Sequence, residues 1–266
     1  MLLAVFVILS CASGLAKEWK DLEFAKPDGV SLTLDAWVPD ADLKGKSVAL
    51  LVHGGGWEAG DKRTYIGPWF RALTAAGIPW VTVNYRLGPK WKHPAAVEDV
   101  EAAVRWVQGN ARMLGIDGKQ IVLVGESAGA HIAALAAMRG RVKVAGWVGF
   151  YGIYDVPQWV KERGELPKNI AGYLRDVGEK GQREATPVEY VKRGQVAILL
   201  VHGKADRGVP FAQSERMCEV ARGKGVDCEM LLIEGAPHGV DNWEGKAEFG
   251  AWEEKLVGWL KGRRER

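Results

Sequence analysis

Apolar, β-branched runs recur along the chain: VALLV at 48–52, IVLVG at 121–125, VAGWVGF at 144–150, VAILLV at 196–201 and CEMLLI at 228–233. Strands buried on both faces read this way, as near-continuous hydrophobic runs rather than alternating ones. Helical stretches separate them. HPAAVEDVEAAVRWV opens a helix beside Pro94, small residues follow Ser127, and a further helix is predicted over about 211–222. Strands alternating with helices imply a single α/β domain with a mostly parallel central sheet flanked by helices. Such a sheet places ligands beyond the carboxyl ends of its strands. One long insertion, around 152–195, interrupts the alternation, and its broken helical texture predicts a small lid.

The run at 121–125 breaks into Glu126-Ser127-Ala128-Gly129, a strand, a tight turn and a helix with a serine at the apex. Gly125 and Gly129 are the small residues that let strand and helix close around a strained serine. A serine hydroxyl is a weak nucleophile and needs a base, and the base needs an orienting acid. In this type of site the chain order is serine, acid, histidine. His238 lies in a Gly/Pro-bearing loop after the 228–233 run, and Asp206 in the loop after the 196–201 run. Ser127 is therefore the candidate nucleophile, His238 the base and Asp206 the acid. His202 is the alternative base, and Asp241 and Asp155 are the alternative acids. His131 is expected to pack one turn into the helix, and His93 to be a surface or turn residue.

A carbonyl attacked by serine develops negative charge on its oxygen, which needs hydrogen-bond donors. The 48–52 run feeds His53-Gly54-Gly55-Gly56-Trp57, whose glycines leave bare backbone N–H groups. With the amide of Ala128, those of Gly55 and Gly56 are the candidate oxyanion donors. Losing one such donor costs a serine hydrolase about 3 kcal/mol of barrier.

HGGGW (53–57), NYRL (84–87), HPAAVEDVEAAVRWV (93–107), GESAGAH (125–131), HGKADRGVP (202–210) and GAPHG (235–239) together resemble the α/β-hydrolases. They are most similar to the hormone-sensitive-lipase-like esterases and the bacterial feruloyl/acetyl-xylan esterase group. The resemblance implies Ser127, Asp206 and His238 as triad, Gly55, Gly56 and Ala128 as oxyanion donors, no cofactor, and a carboxylic ester as substrate. Only about thirty residues precede the first core strands, too few for the helical cap of the hormone-sensitive-lipase relatives, so the feruloyl-esterase branch fits better. Amidases or peptidases of the arylformamidase or prolyl-oligopeptidase type share these motifs. A non-catalytic binding protein on the same fold is the remaining reading, and the full set of triad residues argues against it.

At 266 residues and 47% hydrophobic content the chain suits one domain with a large core. A net charge of +3 with scattered basic residues gives no nucleic-acid signature. Residues 2–9 (LLAVFVIL) followed by SCASGLA match the apolar stretch and cleavage zone of a secretory signal, too short to span a bilayer. That predicts a signal peptide over 1–16, a catalytic domain over 17–266, and an exported protein, periplasmic or secreted, cut after Ala16 or Ser13. A lipid-modified Cys11 is the alternative, the one route to a membrane. In an exported protein Cys218 and Cys228 are candidates for a disulfide, with about 2–3 kcal/mol of stabilisation for so short a loop. The five histidines show no metal-ligand spacing, so no metal is expected.

For the substrate, Trp57, Tyr154, Trp159 and Trp243 are the candidate contacts, with most of the twelve tryptophans assigned to the core. KERGELPKN in the insertion is too charged for the apolar lid of a long-chain lipase. Short or aromatic acyl groups are favoured, on plant polysaccharides such as acetylated or feruloylated xylan.

Overall fold

The computed structural model describes residues 16–164, 168–174 and 178–262. The expected signal segment, including Cys11, lies outside them apart from Ala16. The strands are β1 (Lys17–Ala25), β2 (Leu32–Val38), β3 (Val48–Val52), β4 (Trp80–Val83), β5 (Ile121–Glu126), β6 (Gly146–Phe150), β7 (Ile198–Gly203) and β8 (Cys228–Ile233). The helices are α1 (Gly67–Ala75), α2 (Ala95–Gly109), α3 (Ala111–Leu114), α4 (Ala128–Met138), α5 (Val156–Arg163), α6 (Lys168–Tyr173), α7 (Gly178–Glu184), α8 (Ala212–Gly223) and α9 (Ala251–Gly262). The strands form one sheet in the order β1-β2-β4-β3-β5-β6-β7-β8. From β4 to β8 every pairing is parallel, while β1–β2 and β2–β4 are antiparallel. This is the α/β-hydrolase architecture.

Every residue of β3, β5 and β6 is buried, as their unbroken apolar runs require. Alternate residues of each strand feed two cores. Leu50, Val52 and Leu123 pack with α2, α4 and α8 on one face, and Leu51, Val122 and Val148 with α1 and α9 on the other. Each such side chain, fully buried, contributes about 1.5–3 kcal/mol. α4 is buried nearly all round, which its alanine-rich sequence permits.

Expected strand starts at 144 and 196 move inward to Gly146 and Ile198, and the 211–222 helix begins at Ala212. The carbonyl of Ala197 still accepts from the Trp147 amide, so pairing outruns the regular strand. His93 lies in a turn, as expected, but is not at the surface: it is buried, 8% exposed, because α6 lays the Tyr173 ring against it. Cys218 on α8 and Cys228 at the head of β8 are joined by a disulfide, their Cα atoms 5.4 Å apart. Among the described residues, no helix is long and apolar enough to cross a membrane, and no group of three or more His, Cys, Asp or Glu is disposed to hold a metal.

Candidate active site

Ser127 links β5 to α4 with φ 50° and ψ −122°, a conformation that costs a non-glycine residue on the order of 1–3 kcal/mol. Its neighbours hold it there. A Cβ on Gly125 would lie 2.3 Å from the carbonyl oxygen of Gly129, and one on Gly129 would lie 2.2 Å from that of Val52. Strand, turn and helix close up only because both positions are glycine. The Ser127 amide donates to Phe150 on the neighbouring strand at 2.9 Å, which pins the turn to the sheet.

Three loops bring the polar groups into line. Ser127 Oγ lies 3.0 Å from His238 Nε2, and His238 Nδ1 lies 2.6 Å from Asp206 Oδ2. An imidazole set between a hydroxyl and a carboxylate can take the hydroxyl proton while the carboxylate fixes its tautomer. The Asp206 side chain is fully buried, and its Oδ1 accepts the amides of Gly208 and Val209 at 2.8 Å each. Burial alone would raise its pKa, but hydrogen bonds from His202, His238 and Val209 prevail and hold it well below the usual carboxylate range.

The alternatives fall elsewhere. His202 Nδ1 bonds to Ser214 Oγ at 2.7 Å and Nε2 to the Val209 carbonyl at 3.0 Å, with Asp206 3.4 Å away, so it buttresses the acid. Asp155 caps α5 through the Gln158 amide. His131 packs fully buried under the insertion, between Trp57 and the Ala185 carbonyl. Asp241 stands on the pocket wall.

Beside Ser127, the loop after β3 turns through Gly55 (φ 103°), Gly56 (φ 62°) and Trp57 (φ 64°). A Cβ on Gly55 would lie 2.1 Å from the Ala59 carbonyl oxygen. Both Gly55 and Gly56 line the pocket, and neither amide donates to a backbone carbonyl among the described residues. Ala128 opens α4, so its N–H is one of the four that an α-helix leaves without an internal acceptor. Behind the glycines His53 stacks on Tyr85, ring centroids 4.3 Å apart, and burial lowers its pKa to about 4.

The BD-FAE family model matches residues 34–220, the whole stretch from β2 to α8 that builds the elbow, the glycine loop and the acid loop. The chain belongs to the BD-FAE family. Esterase LipC of Mycobacterium tuberculosis is 28% identical over 82% of the chain and 59% of its own length. Esterase LipQ of the same organism is 29% identical over 79% and 54%. The chain thus spans little more than half the length of these curated relatives. Among solved structures, apo esterase 2 of Thermogutta terrifontis superposes with a TM-score of 0.74 at 26% identity, covering 93% of this chain and 96% of that one. A truncated carbohydrate esterase from gut microbiota matches in fold with a TM-score of 0.78 at 20% identity, over 93% and 96% of the two chains.

In this BD-FAE chain a cavity of about 460 Å³ opens over Ser127, lined by the glycine loop, Ile153, Trp159, Val209, Tyr65 and the loop from His238 to Asn242. The four expected aromatic contacts divide. Trp159 lines the cavity. Trp57 is on the wall but only 1% exposed; its Nε1 bonds to His131 Nδ1 and its ring stacks on Tyr173. Tyr154 and Trp243 are corrected to core. Tyr154 is fully buried against Trp147, in space left by Gly149 and Gly152. Trp243 lies under the histidine loop, its Nε1 donating to the Pro237 carbonyl at 2.7 Å and its ring packed on Tyr151. In both cases the indole or phenol is needed to fill the space beneath a loop, which residue type alone does not reveal. Glu126, Tyr65 and Asn242 also line the cavity. Only Glu126, beside the serine in GESAG, had a position in the sequence that could have drawn attention.

Proposed function

We propose that this protein is a serine carboxylesterase acting on short or aromatic acyl esters, including those on polysaccharides such as acetylated or feruloylated xylan. The observation that carries the reading is the alignment of Ser127 Oγ, His238 and Asp206 at 3.0 and 2.6 Å in a cavity lined by Gly55 and Gly56. His238 takes the Ser127 proton as the oxygen attacks the ester carbonyl. The resulting oxyanion accepts from Gly55, Gly56 and Ala128. His238 passes the proton to the departing alcohol, leaving an acyl-serine. Water, deprotonated by the same imidazole, then releases the acid and restores Ser127. Asp206 holds the tautomer and offsets the imidazolium charge.

A half-exposed Tyr65, 43% exposed, stands at the rim with Asp241 and Asn242. Polar groups and an aromatic face there suit a polar alcohol rather than a lipid. The propionate-bound structure of Thermogutta terrifontis esterase 2, 25% identical, supports a short acyl group in this fold. Export remains part of the proposal, on the apolar N-terminal segment and the Cys218–Cys228 bridge. The test is hydrolysis of p-nitrophenyl acetate, butyrate and octanoate, methyl ferulate and acetylated xylan by wild type and Ser127→Ala. Turnover of short or feruloyl esters that vanishes in the variant is expected. No turnover of any ester by folded wild type would remove the esterase reading in favour of amides or binding.

A further inference from the structure

Glu126 lines the cavity beside the nucleophile, is 3% exposed, and directs both oxygens into the walls. Oε1 accepts the Gly54 amide at 3.0 Å. Oε2 accepts the Tyr151 hydroxyl at 2.6 Å. The Tyr151 oxygen in turn accepts the Val240 amide at 2.6 Å, and its ring centroid lies 4.7 Å from that of His238. Four strand ends therefore meet in one chain of hydrogen bonds: the glycine loop after β3, the elbow after β5, the residue after β6, and the histidine loop after β8.

We propose that Glu126 and Tyr151 are positioning residues that set the oxyanion loop and the histidine loop in register around Ser127. The inference rests on the esterase reading. Direction of donation is the first argument. Two donors face Glu126, one at each oxygen, and a carboxylate matches both as acceptor. An apolar replacement would leave the Gly54 N–H and Tyr151 O–H buried and unpaired.

Close approach is the second. A Cβ on Gly54 would lie 2.8 Å from Glu126 Oε1, so the first glycine of the loop is there to let the backbone reach the carboxylate. The glycines of the HGGGW segment thereby divide in role: Gly54 ties the loop down through Glu126, while Gly55 and Gly56 line the cavity. Strain is the third. Tyr151 sits at φ 38°, unfavourable for an aromatic residue, and is fully buried. Such a conformation persists where surrounding contacts over-determine it, and here hydroxyl bonds to Glu126 and Val240 do so.

Neither residue is placed to touch the reacting atoms, so their effect runs through Gly55, Gly56 and His238. Losing that alignment lowers kcat while leaving ground-state binding in place.

Glu126→Gln keeps the shape but presents a donor to one of two donors. Tyr151→Phe keeps the ring and removes both hydroxyl bonds. Each variant is compared with wild type and Ser127→Ala on p-nitrophenyl acetate, with thermal unfolding, and with amide hydrogen exchange of the 53–60 and 237–243 peptides. Expected are a drop in kcat of about 10- to 100-fold, KM within about twofold, and faster exchange in both peptides with the folded fraction intact. The double variant falls short of the product of the two single effects, because both remove one network. Unchanged exchange in both peptides, or a wild-type kcat in either folded variant, would overturn the pair. Inactivity of wild type toward every ester would overturn the esterase reading instead, and the exchange comparison would still decide the positioning role.

Discussion

Two buried carboxylates terminate neighbouring parts of the sheet and serve opposite ends of the site. Asp206, after β7, receives Gly208, Val209 and His238, with His202 close by, and its pKa is held low. Glu126, at the end of β5, receives Gly54 and Tyr151 among the described residues, and burial pushes its pKa up against those two bonds. The first faces the base and keeps its charge against a developing imidazolium. The second faces the frame and ties the glycine loop to the histidine loop through Tyr151. A buried carboxylate is thus set by its donors: several donors, one of them the His238 imidazole, make an electrostatic partner, and two wall donors make a brace.

Removing the acid separates the two most sharply. Asp206→Ala is expected to lower kcat by about 10³- to 10⁴-fold with KM little changed, because His238 loses its orienter and the charge that stabilises its protonated form. Steady-state kinetics on p-nitrophenyl acetate checks it. A loss no larger than that of Glu126→Gln would erase the distinction.

Acid titration comes next. His53 and His131 have pKa values lowered to about 4, and His93 to about 3, each chiefly by burial. A base whose pKa falls on folding stabilises the protein fully above its unfolded value, near 6.5, and progressively less as pH drops toward its folded value. Stability should therefore fall between pH 6.5 and about 4 by roughly 1 kcal/mol per histidine per pH unit. Asp206, whose pKa falls on folding, contributes its stability above the unfolded carboxylate range and loses it only below about pH 4. Asp99, Glu101 and Glu126, each shifted upward chiefly by burial, gain relative stability as pH falls and oppose the histidines. Denaturant midpoints at a series of pH values, for wild type and His131→Gln, would isolate one histidine's slope, and equal slopes in the two would contradict a buried neutral His131.

Smaller effects sharpen the picture at the rim. Asp241→Asn should change kcat by no more than about threefold, since Asp241 stands on the pocket wall and Asp206 occupies the histidine. Tyr65→Ala should raise KM about two- to fivefold for feruloyl or xylan-bound esters and leave p-nitrophenyl acetate unaffected. Equal loss on both substrates would remove Tyr65 from recognition of the alcohol or aromatic acyl part.

Much of this was legible in residue pattern. Buried parallel strands announce themselves as unbroken apolar runs, and the loops at their carboxyl ends hold Ser127, Asp206 and His238, which the fold brings into line. What stayed hidden depends on packing across elements. β1 pairs antiparallel with β2 as the sheet's edge strand, and its largely exposed, mixed-polarity residues carry no clean signature. Tyr154 packs on Trp147 in space left by Gly149 and Gly152, and Trp243 packs on Phe150 and Tyr151 from β6 and the loop after it, contacts that only the folded sheet creates. Tyr151 becomes a brace only because Val240, 89 residues away, folds back onto its hydroxyl. His93 is buried by Tyr173 of the insertion, a contact of 80 residues' separation.

The central claim is that Ser127 is the nucleophile, activated by His238. The most direct measurement is covalent: incubate the protein with paraoxon, digest, and locate the diethyl phosphoryl group by mass spectrometry, with His238→Ala in parallel. The account predicts one modification, on the peptide containing Ser127, matched by loss of ester hydrolysis and slowed by at least about a hundredfold without His238. No adduct on folded protein, or an adduct on another residue with hydrolysis abolished, would contradict it.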